Sequence, residues 1–308
     1  MIIVRNLSKS FGSIIALKEV SLEIRKGEFY GLLGPNGAGK TTFINILSTV
    51  VSADSGSILI DGEEMDMHNT EIKKKIGVVP QEIALYEDLS ARDNLLFWGK
   101  SYGIPSVELK QNAQQLLHIT SLENRKNDKV AHFSGGMKRR LNLACALVHK
   151  PDIVFMDEPT VGIDPQSRNK IYDILQDLQK EGITTIYTTH YMEEAEKLCN
   201  RIGIIDHGRI IAEGTLQQLR KLDQSTESIS IQFEELKEKK KKELIEVFGE
   251  TTIVNGDACV ISTYQLDLKL AEIISKIDRI GLNITNIDFK RKNLETLFLN
   301  LTGKKLRE

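Results

Sequence analysis

The sequence predicts an α/β fold with a parallel core sheet, an N-terminal antiparallel β subdomain, an inserted helical subdomain and a small α+β domain at the C-terminus. Three observations lead to this prediction. After Pro151, near-continuous apolar strands alternate with helices, which is typical of a parallel sheet covered on both faces. Residues 86–150 are mostly helical in pattern. Beyond residue 220 the order strand–helix–strand–strand–helix–strand indicates a ferredoxin-like arrangement.

The composition is typical of a soluble globular protein, with 41% hydrophobic and 27% charged residues in a chain of 308. This length accommodates an ordinary domain and a smaller one, which we place at residues 1–220 and 221–308. A net charge of -2 gives no overall electrostatic attraction for nucleic acid, so we expect no nucleic-acid partner. The cysteines, Cys145, Cys199 and Cys259, lack a metal-binding or disulfide spacing, which fits a reducing cytosol.

The chain shows no sequence pattern for crossing a membrane. No apolar run approaches the roughly 20 residues that a membrane-spanning helix needs. Residues 1–5 indicate a short strand and lack the apolar region of a secretory signal. We therefore expect a cytoplasmic chain whose role at a membrane would depend on a partner.

The N-terminal region alternates short β-branched runs with turns, which predicts the antiparallel β subdomain. The strands predicted before residue 80 are Ile2–Leu7, Val20–Ile24, Glu28–Leu33, Ser57–Ile60 and Ile76–Val79. The dipeptide Asp61-Gly62 predicts a hairpin, and Pro80 ends the last of these strands. A helix is predicted at Lys40–Val50, directly after a glycine-rich loop.

The helical subdomain is predicted to open with a helix whose first turn is capped by Ser90. Its predicted helices are Ser90–Tyr102, Val107–His118 and Gly136–His149. The strands predicted after it are Asp152–Met156, Ile183–Thr189 and Ile202–Asp206, with helices at Gln166–Glu181 and Met192–Cys199.

The C-terminal domain is predicted from a second set of short patterns, with Asn255-Gly256-Asp257 as a hairpin turn. Its predicted strands are Glu227–Phe233, Thr251–Val254, Ala258–Thr263 and Ile284–Phe289. Its predicted helices are Glu235–Phe248, Leu266–Ile280 and Leu294–Leu301.

Residues 34–41 fit the phosphate-loop pattern G-x-x-x-x-G-K-[ST], and they lie between an apolar strand and a helix as that chemistry requires. Glycines let backbone N–H groups approach phosphate oxygens, and the helix dipole adds to the attraction. We expect Lys40 to bridge the β- and γ-phosphates of ATP and Thr41 to ligate Mg²⁺. The residues expected to contact nucleotide in this loop are Gly34, Pro35, Asn36, Gly37, Ala38, Gly39, Lys40, Thr41 and Thr42.

Two carboxylates, Asp157 and Glu158, end an apolar strand at Ile153–Met156. Ionised side chains at such a position are costly unless a partner satisfies them. We assign Asp157 to Mg²⁺ and Glu158 to the attacking water as general base, a role worth roughly 10²–10⁴ in rate. The alternative is a pair of exposed carboxylates at a strand end.

Three further residues are candidates on weaker grounds. His190 follows a strand at the same predicted sheet edge and could hold the γ-phosphate or the water, although histidines at strand ends are often structural. Gln81 could reach Mg²⁺ or the water with its amide, or it could be an ordinary surface residue. Phe11 could stack on adenine, or it could be a core aromatic.

A second anion-binding helix start is predicted at Ser134-Gly135-Gly136, although a plain serine cap fits these residues equally well. The chain then has two phosphate-facing helix starts for one triphosphate. One resolution is that each serves a different nucleotide, shared across a dimer.

Taken together, these residues resemble the ATP-binding subunit of ABC transporters over about residues 1–220. Gly34–Thr42 is similar to the Walker A loop of that family and Gln81 to its Q-loop. The signature motif is matched by Phe133–Met137, and Walker B with the catalytic glutamate by Ile153–Glu158. The remaining matches are Gly162–Pro165 with the D-loop, His190 with the switch histidine and Phe11 with the A-loop aromatic.

The resemblance implies a P-loop NTPase fold that hydrolyses ATP with Mg²⁺. It also implies a head-to-tail homodimer, in which Ser134 and Gly136 of one copy contact the γ-phosphate held by Lys40 of the other. A separate transmembrane permease would be the second partner, docked near Gln81–Tyr86, and it would hold the chain at the inner face of the cell membrane.

Two departures from the common family pattern point to one branch of it. The signature motif has Phe133 first and Met137 last, and the A-loop residue is Phe rather than Tyr. Both variants resemble the drug- and antibiotic-export branch typified by daunorubicin-resistance ATPases. That branch is also similar in residues 160–162 and in the closing segment at 294–307.

The leading hypothesis is therefore an ATPase subunit that powers export of a drug-like, antibiotic or lipid-like compound. The alternative is a non-transport ABC ATPase or a regulatory ATP-dependent switch. Non-transport members usually carry two cassettes, a long coiled-coil insertion or zinc cysteines, and the sequence displays none of these.

Overall fold

The computed structural model describes residues 1–66, 69–222, 227–249, 252–263, 270–290 and 293–302. They form two compact units, one at Met1–Gln217 and one that begins at Gln218. The strands of the first unit are β1 (Ile2–Phe11), β2 (Ile14–Ile24), β3 (Phe29–Leu33), β4 (Ser55–Ile60), β5 (Glu63–Glu64), β6 (Ile76–Val79), β7 (Ile153–Asp157), β8 (Thr184–Thr189), β9 (Arg201–Asp206) and β10 (Arg209–Gly214). Its helices are α1 (Lys40–Leu47), α2 (Thr70–Lys74), α3 (Ala91–Ser101), α4 (Ser106–Ile119), α5 (Gly135–Leu147), α6 (Pro165–Lys180) and α7 (Met192–Leu198), and α8 (Leu216–Leu222) spans the division.

The first unit is built on a six-stranded sheet in the order β10-β9-β3-β8-β7-β6. The five strands from β9 to β6 are parallel, which confirms the predicted parallel core, and β10 is antiparallel to β9. Strand β10 was missing from the prediction. Its residues alternate between exposed and partly buried positions, as in an edge strand, so it lacks the continuous apolar run of the central strands.

Both faces of the core sheet are covered, as the apolar strands predicted. Val154 and Met156 of β7 belong to a buried cluster that includes residues of α5 and α6. Ile153 and Phe155 point to the other face and belong to a cluster shared with the N-terminal strands. Since successive side chains of a strand alternate between faces, covering both faces requires an uninterrupted apolar strand.

The N-terminal subdomain is an antiparallel sheet in the order β2-β1-β4-β5. Strand β1 continues to Phe11 beyond the predicted end at Leu7, and β2 begins at Ile14 rather than Val20. The pairing of these two strands shifts register on either side of Leu7 and again near Lys9. Such irregularities break the two-residue alternation, so the sequence pattern underestimated both strands.

Two helices end two or three residues earlier than predicted. Helix α1 stops at Leu47, where the Ser48 hydroxyl donates to the Ile44 carbonyl at 2.8 Å and Thr49 adopts a left-handed φ of 60°. Helix α5 stops at Leu147, and Lys150, directly before Pro151, adopts a left-handed φ of 53°, since proline disfavours a helical conformation in the residue before it.

The second unit has the predicted element order. Its strands are β11 (Glu227–Phe233), β12 (Thr252–Asn255), β13 (Ala258–Thr263) and β14 (Ile284–Lys290), in the antiparallel order β12-β13-β11-β14. Its helices are α9 (Glu238–Phe248), α10 (Leu270–Ile280) and α11 (Leu294–Thr302). Helix α9 begins three residues later than predicted. Residue 251 of a predicted strand, residues 266–269 of a predicted helix and residues 303–307 of the closing segment lie outside the described residues.

Candidate functional site

Three predicted site segments follow three neighbouring strands. Strands β3, β8 and β7 are adjacent and parallel, so their carboxyl ends lie at one edge of the sheet. Gly34 follows β3, His190 follows β8 and Glu158 follows β7. The Gly34 amide donates to the Thr189 carbonyl at 3.3 Å, and the Glu158 amide donates to the Thr188 carbonyl at 3.2 Å. The fold therefore brings the three segments together.

The phosphate loop between β3 and α1 needs its glycines. A Cβ on Gly34 would lie 2.3 Å from the Ile205 carbonyl oxygen, and one on Gly39 would lie 2.4 Å from that of Ala16. Gly39 and Gly37 have φ values of 109° and 81°, which favour glycine. The loop is thus a tight turn, and the space that a nucleotide's phosphates need for close approach to the backbone is available at Gly37, where an added Cβ would meet no atom within 4 Å.

Alanine substitutions at these two glycines should differ in their effect on stability. Gly37→Ala carries only the cost of a left-handed alanine, about 1–2 kcal/mol. Gly39→Ala adds a clash with the Ala16 carbonyl, so we expect a total of about 2–5 kcal/mol. Urea unfolding without nucleotide measures both values, and equal losses would contradict the tight packing of the loop at Gly39.

Lys40 is the first residue of α1, and only 4% of it is exposed. Its ammonium group donates to the carbonyl oxygens of Gly34 at 2.8 Å and Pro35 at 3.0 Å. It also lies 2.9 Å from Oε1 of Glu158. An ammonium group has three donors, so these contacts satisfy the buried charge of Lys40 completely.

Glu158 connects Lys40 to His190. Its Oε2 lies 3.0 Å from Nδ1 of His190, while Oε1 contacts Lys40. Glu158 is buried and has a φ of 46°, a left-handed conformation that non-glycine residues seldom adopt. Its amide is held by the carbonyl and the hydroxyl of Thr188, the latter at 3.1 Å. Lys40 and His190, predicted from distant parts of the sequence, therefore meet at the carboxylate of Glu158.

Asp157, Thr41 and Gln81, the residues predicted to surround Mg²⁺, line one cavity of about 530 Å³. Asp157 is buried, and its Oδ1 accepts a hydrogen bond from the Thr188 hydroxyl at 2.6 Å. Gln81 is exposed. A carboxylate, a hydroxyl and an amide oxygen are ligand types that Mg²⁺ accepts.

Sequence reasoning missed Arg139 of α5. Its guanidinium group donates to the carbonyl oxygens of Gln81 at 2.6 Å and Pro80 at 3.3 Å, and it reaches that of Val161 at 3.5 Å. Burial lowers the pKa of this group, and the nearby Asp157 charge opposes that shift. The sequence gives no signal for this role, because both neighbours of Arg139 are basic as well.

Ser134, Gly135 and Gly136 begin α5. The Ser134 hydroxyl accepts the Met137 amide at 3.3 Å, so Ser134 caps its own helix, one of the two interpretations that the sequence left open. A Cβ on Gly136 would lie 2.0 Å from the Ser167 hydroxyl, which explains this glycine. Ser134 and Gly135 are exposed. Within the described residues, no hydrogen bond or ion pair joins this segment to the phosphate loop of the same chain.

Phe11 is the last residue of β1 and is 49% exposed, so the alternative of a core aromatic is wrong. The Lys9 ammonium nitrogen lies 5.4 Å from the centroid of its ring. The partner strand β2 passes the phosphate loop, because the Ala16 carbonyl lies beside Gly39. No described contact joins the Phe11 ring itself to the loop.

Comparison with known proteins identifies the family. A family model described as ABC transporter matches residues 17–161. The linearmycin resistance ATP-binding protein LnrL of Bacillus subtilis is 42% identical, over 100% of both chains. The doxorubicin resistance ATP-binding protein DrrA of Mycobacterium tuberculosis is 36% identical over 98% of this chain and 93% of its own. The Nod factor export ATP-binding protein I of Cupriavidus metallidurans is 36% identical over 99% of this chain and 98% of its own.

Solved structures agree. The chain resembles an ATP-binding subunit of an ABC transporter with a TM-score of 0.66 and 29% identity, over 72% of this chain and 92% of that one. It also resembles a dimeric bacterial ABC transporter cassette with a TM-score of 0.65 and 32% identity, over 70% and 99%. It resembles a dimeric cassette in a post-hydrolysis state with ADP and phosphate with a TM-score of 0.64 and 32% identity, over 70% of this chain and 99% of that one.

The chain therefore belongs to the ABC transporter family, as an ATP-binding and ATP-hydrolysing subunit. In the part of the chain that the structure describes, no helix has both the length and the apolar character of a membrane span.

Proposed function

We propose that this chain powers export of a drug-like, antibiotic or lipid-like compound through a separate membrane permease. The observation that carries the catalytic part is the Glu158 carboxylate, which contacts Lys40 with one oxygen and His190 with the other. The names of three relatives, which record linearmycin resistance, doxorubicin resistance and Nod factor export, support the export part.

The site residues have complementary roles in this proposal. Glu158 accepts a proton from water as the water oxygen bonds to the γ-phosphorus of ATP, and ADP departs with the electrons of the broken phosphoanhydride bond. Lys40 leaves its carbonyl partners to bind the β- and γ-phosphates, and His190 holds the γ-phosphate with the ring nitrogen that does not face Glu158. Phe11 offers its exposed ring face to adenine.

Thr41, Asp157 and Gln81 would hold Mg²⁺. Among the described residues no three His, Cys, Asp or Glu side chains gather into a metal cluster. That fits Mg²⁺, which takes one or two carboxylates and completes its shell with water and substrate phosphates. When bound, the ion would neutralise charge that develops on the phosphates.

A second copy of the chain would complete each site. Ser134 and Gly135 are exposed at the start of α5 and make no described hydrogen bond to their own phosphate loop, so this anion-binding helix end is available to another molecule. Two of the solved structures that the chain resembles are dimeric. A head-to-tail dimer would bring Ser134 and Gly136 of one copy to the γ-phosphate bound at Lys40 of the other.

The permease would dock beside the Gln81 loop. Tyr86 and Phe97 are 47% and 41% exposed, with ring centroids 4.6 Å apart, and Trp98 packs edge-on against Phe97 at 5.6 Å. Trp98 also lines the cavity that holds Gln81 and Asp157. Exposed aromatic residues beside a cavity are typical anchors of protein interfaces. Docking there would hold the chain at the inner face of the membrane.

A substitution in this aromatic cluster should separate docking from hydrolysis. Phe97→Ser should reduce recovery of the permease with the tagged full-length chain from solubilised membranes by about 30-fold, since loss of an interface anchor costs about 2 kcal/mol or more and about 1.4 kcal/mol is a factor of ten in affinity. ATP hydrolysis by the chain alone should stay unchanged. Val107→Ser, which alters a 73% exposed residue of α4, is the matched control. Equal recovery with both variants would contradict the docking site.

Identification of the co-purified protein tests the proposal as a whole. We expect a membrane protein with several spans. Lipid vesicles that contain this protein, with the chain and ATP enclosed inside, should export a hydrophobic dye or antibiotic. Association with ribosomes or DNA, and none with membranes, would contradict it.

A further inference from the structure

Glu194 of α7 is a buried carboxylate that the catalytic proposal does not use. It is 2% exposed. Its Oε1 accepts hydrogen bonds from the Thr160 hydroxyl at 2.7 Å and the Tyr172 hydroxyl at 2.9 Å. Its Oε2 accepts from the hydroxyls of Tyr187 and Thr189, both at 2.8 Å. A carboxylate has about four acceptor positions, and four hydroxyl groups fill them here.

All four contacts on Glu194 come from hydroxyl groups, two on each carboxylate oxygen. Every donor is a hydroxyl, and no cation forms an ion pair with Glu194 among the described residues. Burial and the Glu194 charge raise the pKa values of Tyr172 and Tyr187, so both phenols keep the protons they donate. Four hydrogen bonds offset the cost of burying this polar side chain.

Two of the four donors adjoin the site. Thr160 lies two residues after Glu158, and Thr189 directly precedes His190. The Thr189 hydroxyl also accepts the Tyr191 amide at 2.9 Å, so it fixes the backbone on both sides of His190. Of the other two donors, Tyr172 lies on α6, away from both segments along the chain, and Tyr187 lies on β8, three residues before His190.

The backbone at Glu158 needs such support. Its φ of 46° is unfavourable for a side chain with a Cβ, and strained backbones persist only where their surroundings hold them. The Glu158 amide is held by Thr188, and the chain after Glu158 is held by the bond from Thr160 to Glu194. Glu194 thus connects the backbone that carries Glu158 to the backbone that carries His190.

We propose that Glu194 is a positioning residue for ATP hydrolysis, whose carboxylate holds Thr160 and Thr189 so that Glu158 and His190 meet. This inference rests on the roles proposed above for those two residues. A small misplacement of reacting groups costs up to about 100-fold in rate. A carboxamide accepts with its oxygen but donates with its nitrogen, so two of the four hydroxyls would have to reverse their hydrogen bonds to stay in place.

The test is steady-state hydrolysis of MgATP by the full-length chain, with nucleotide affinity and thermal stability measured in parallel. Glu194→Gln should lower kcat by about 10- to 100-fold and change ATP affinity by less than about threefold. Thr189→Val, which removes the hydroxyl beside His190, should lower kcat in the same way. Tyr172→Phe removes one equivalent hydrogen bond away from the catalytic segments, so it should lower stability and keep kcat within about twofold. Glu193→Gln, at an exposed neighbour on the same helix, should change neither.

Combination with His190→Ala separates positioning from stability. Once His190 is absent, adding Glu194→Gln should lower kcat much less than it does alone, because coupled residues act non-additively. Equal kcat losses in Thr189→Val and Tyr172→Phe would contradict the positioning role, as would full additivity with His190→Ala. If Glu194→Gln does not fold, the pair Thr189→Val and Tyr172→Phe still decides. Normal hydrolysis by His190→Ala itself would instead contradict the proposed site, and the role of Glu194 with it.

Discussion

Glu158→Gln is expected to stop ATP hydrolysis and to trap the chain as an ATP-bound dimer. The amide keeps the size of the side chain, but it cannot accept a proton from water. A positioned general base contributes roughly 10²–10⁴ in rate, so turnover should fall by about that factor. Because the γ-phosphate would then persist between the two copies, ATP should hold the dimer together. Phosphate release and light scattering with MgATP measure the two effects.

The control is Glu181→Gln, which alters an exposed glutamate beyond the end of α6. It should hydrolyse ATP at the wild-type rate and dissociate after turnover. A Glu158→Gln chain that hydrolyses normally, or that stays monomeric with ATP, would remove the general-base assignment.

Lys40→Ala should abolish nucleotide turnover and also lower stability. The ammonium group is the cation expected to hold the β- and γ-phosphates, and it is also the buried partner of Glu158 at 2.9 Å. Both side chains are 4% exposed, so the substitution leaves a buried carboxylate without its cation. Removing one partner of a buried ion pair costs about 3–5 kcal/mol. ATP-binding titration and urea unfolding without nucleotide measure the two losses.

The double variant Lys40→Ala/Glu158→Gln isolates the ion pair. It should regain part of the stability lost in Lys40→Ala, because no uncompensated carboxylate remains, and it should stay inactive. Lys180→Ala, at an exposed lysine paired with Asp177, should cost less than about 1 kcal/mol. Wild-type turnover in Lys40→Ala, or an additive stability loss in the double variant, would contradict this account of Lys40.

The sequence predicted most of the core because β3 and β7 are apolar along almost their whole length and β8 is made almost entirely of β-branched residues. All residues of β3, β7 and β8 are buried, and a strand buried on both faces can be recognised from its own residues without knowledge of distant contacts. Edge strand β10 has no such signal, since exposed and partly buried residues alternate along it. The full length of β1 and β2 was also missed, because the register shifts in their pairing disturb the alternation from which strands are predicted.

The placement of the candidate site residues was predictable where a motif carries its own chemistry. The phosphate loop needs glycines and a lysine at fixed spacing, and Glu158 and His190 end predicted strands at one sheet edge. Arg139 and Glu194 were not predictable, because their roles depend on which carbonyls and hydroxyls the fold brings to them. A basic residue in a basic run, or an acidic residue in an acidic one, indicates only a solvated helix face.

The central claim is that two copies share each hydrolysis site, and mixing two inactive variants tests it most directly. Lys40→Ala disables the phosphate loop. Ser134→Asp keeps a helix-capping residue but sets a negative charge against the γ-phosphate. In a mixed dimer both defects fall on one shared site, and the other site is intact. An equal mixture should therefore recover about a quarter of the wild-type rate if the sites act independently and pairing is random. A mixture no more active than the two variants measured apart would contradict the shared site.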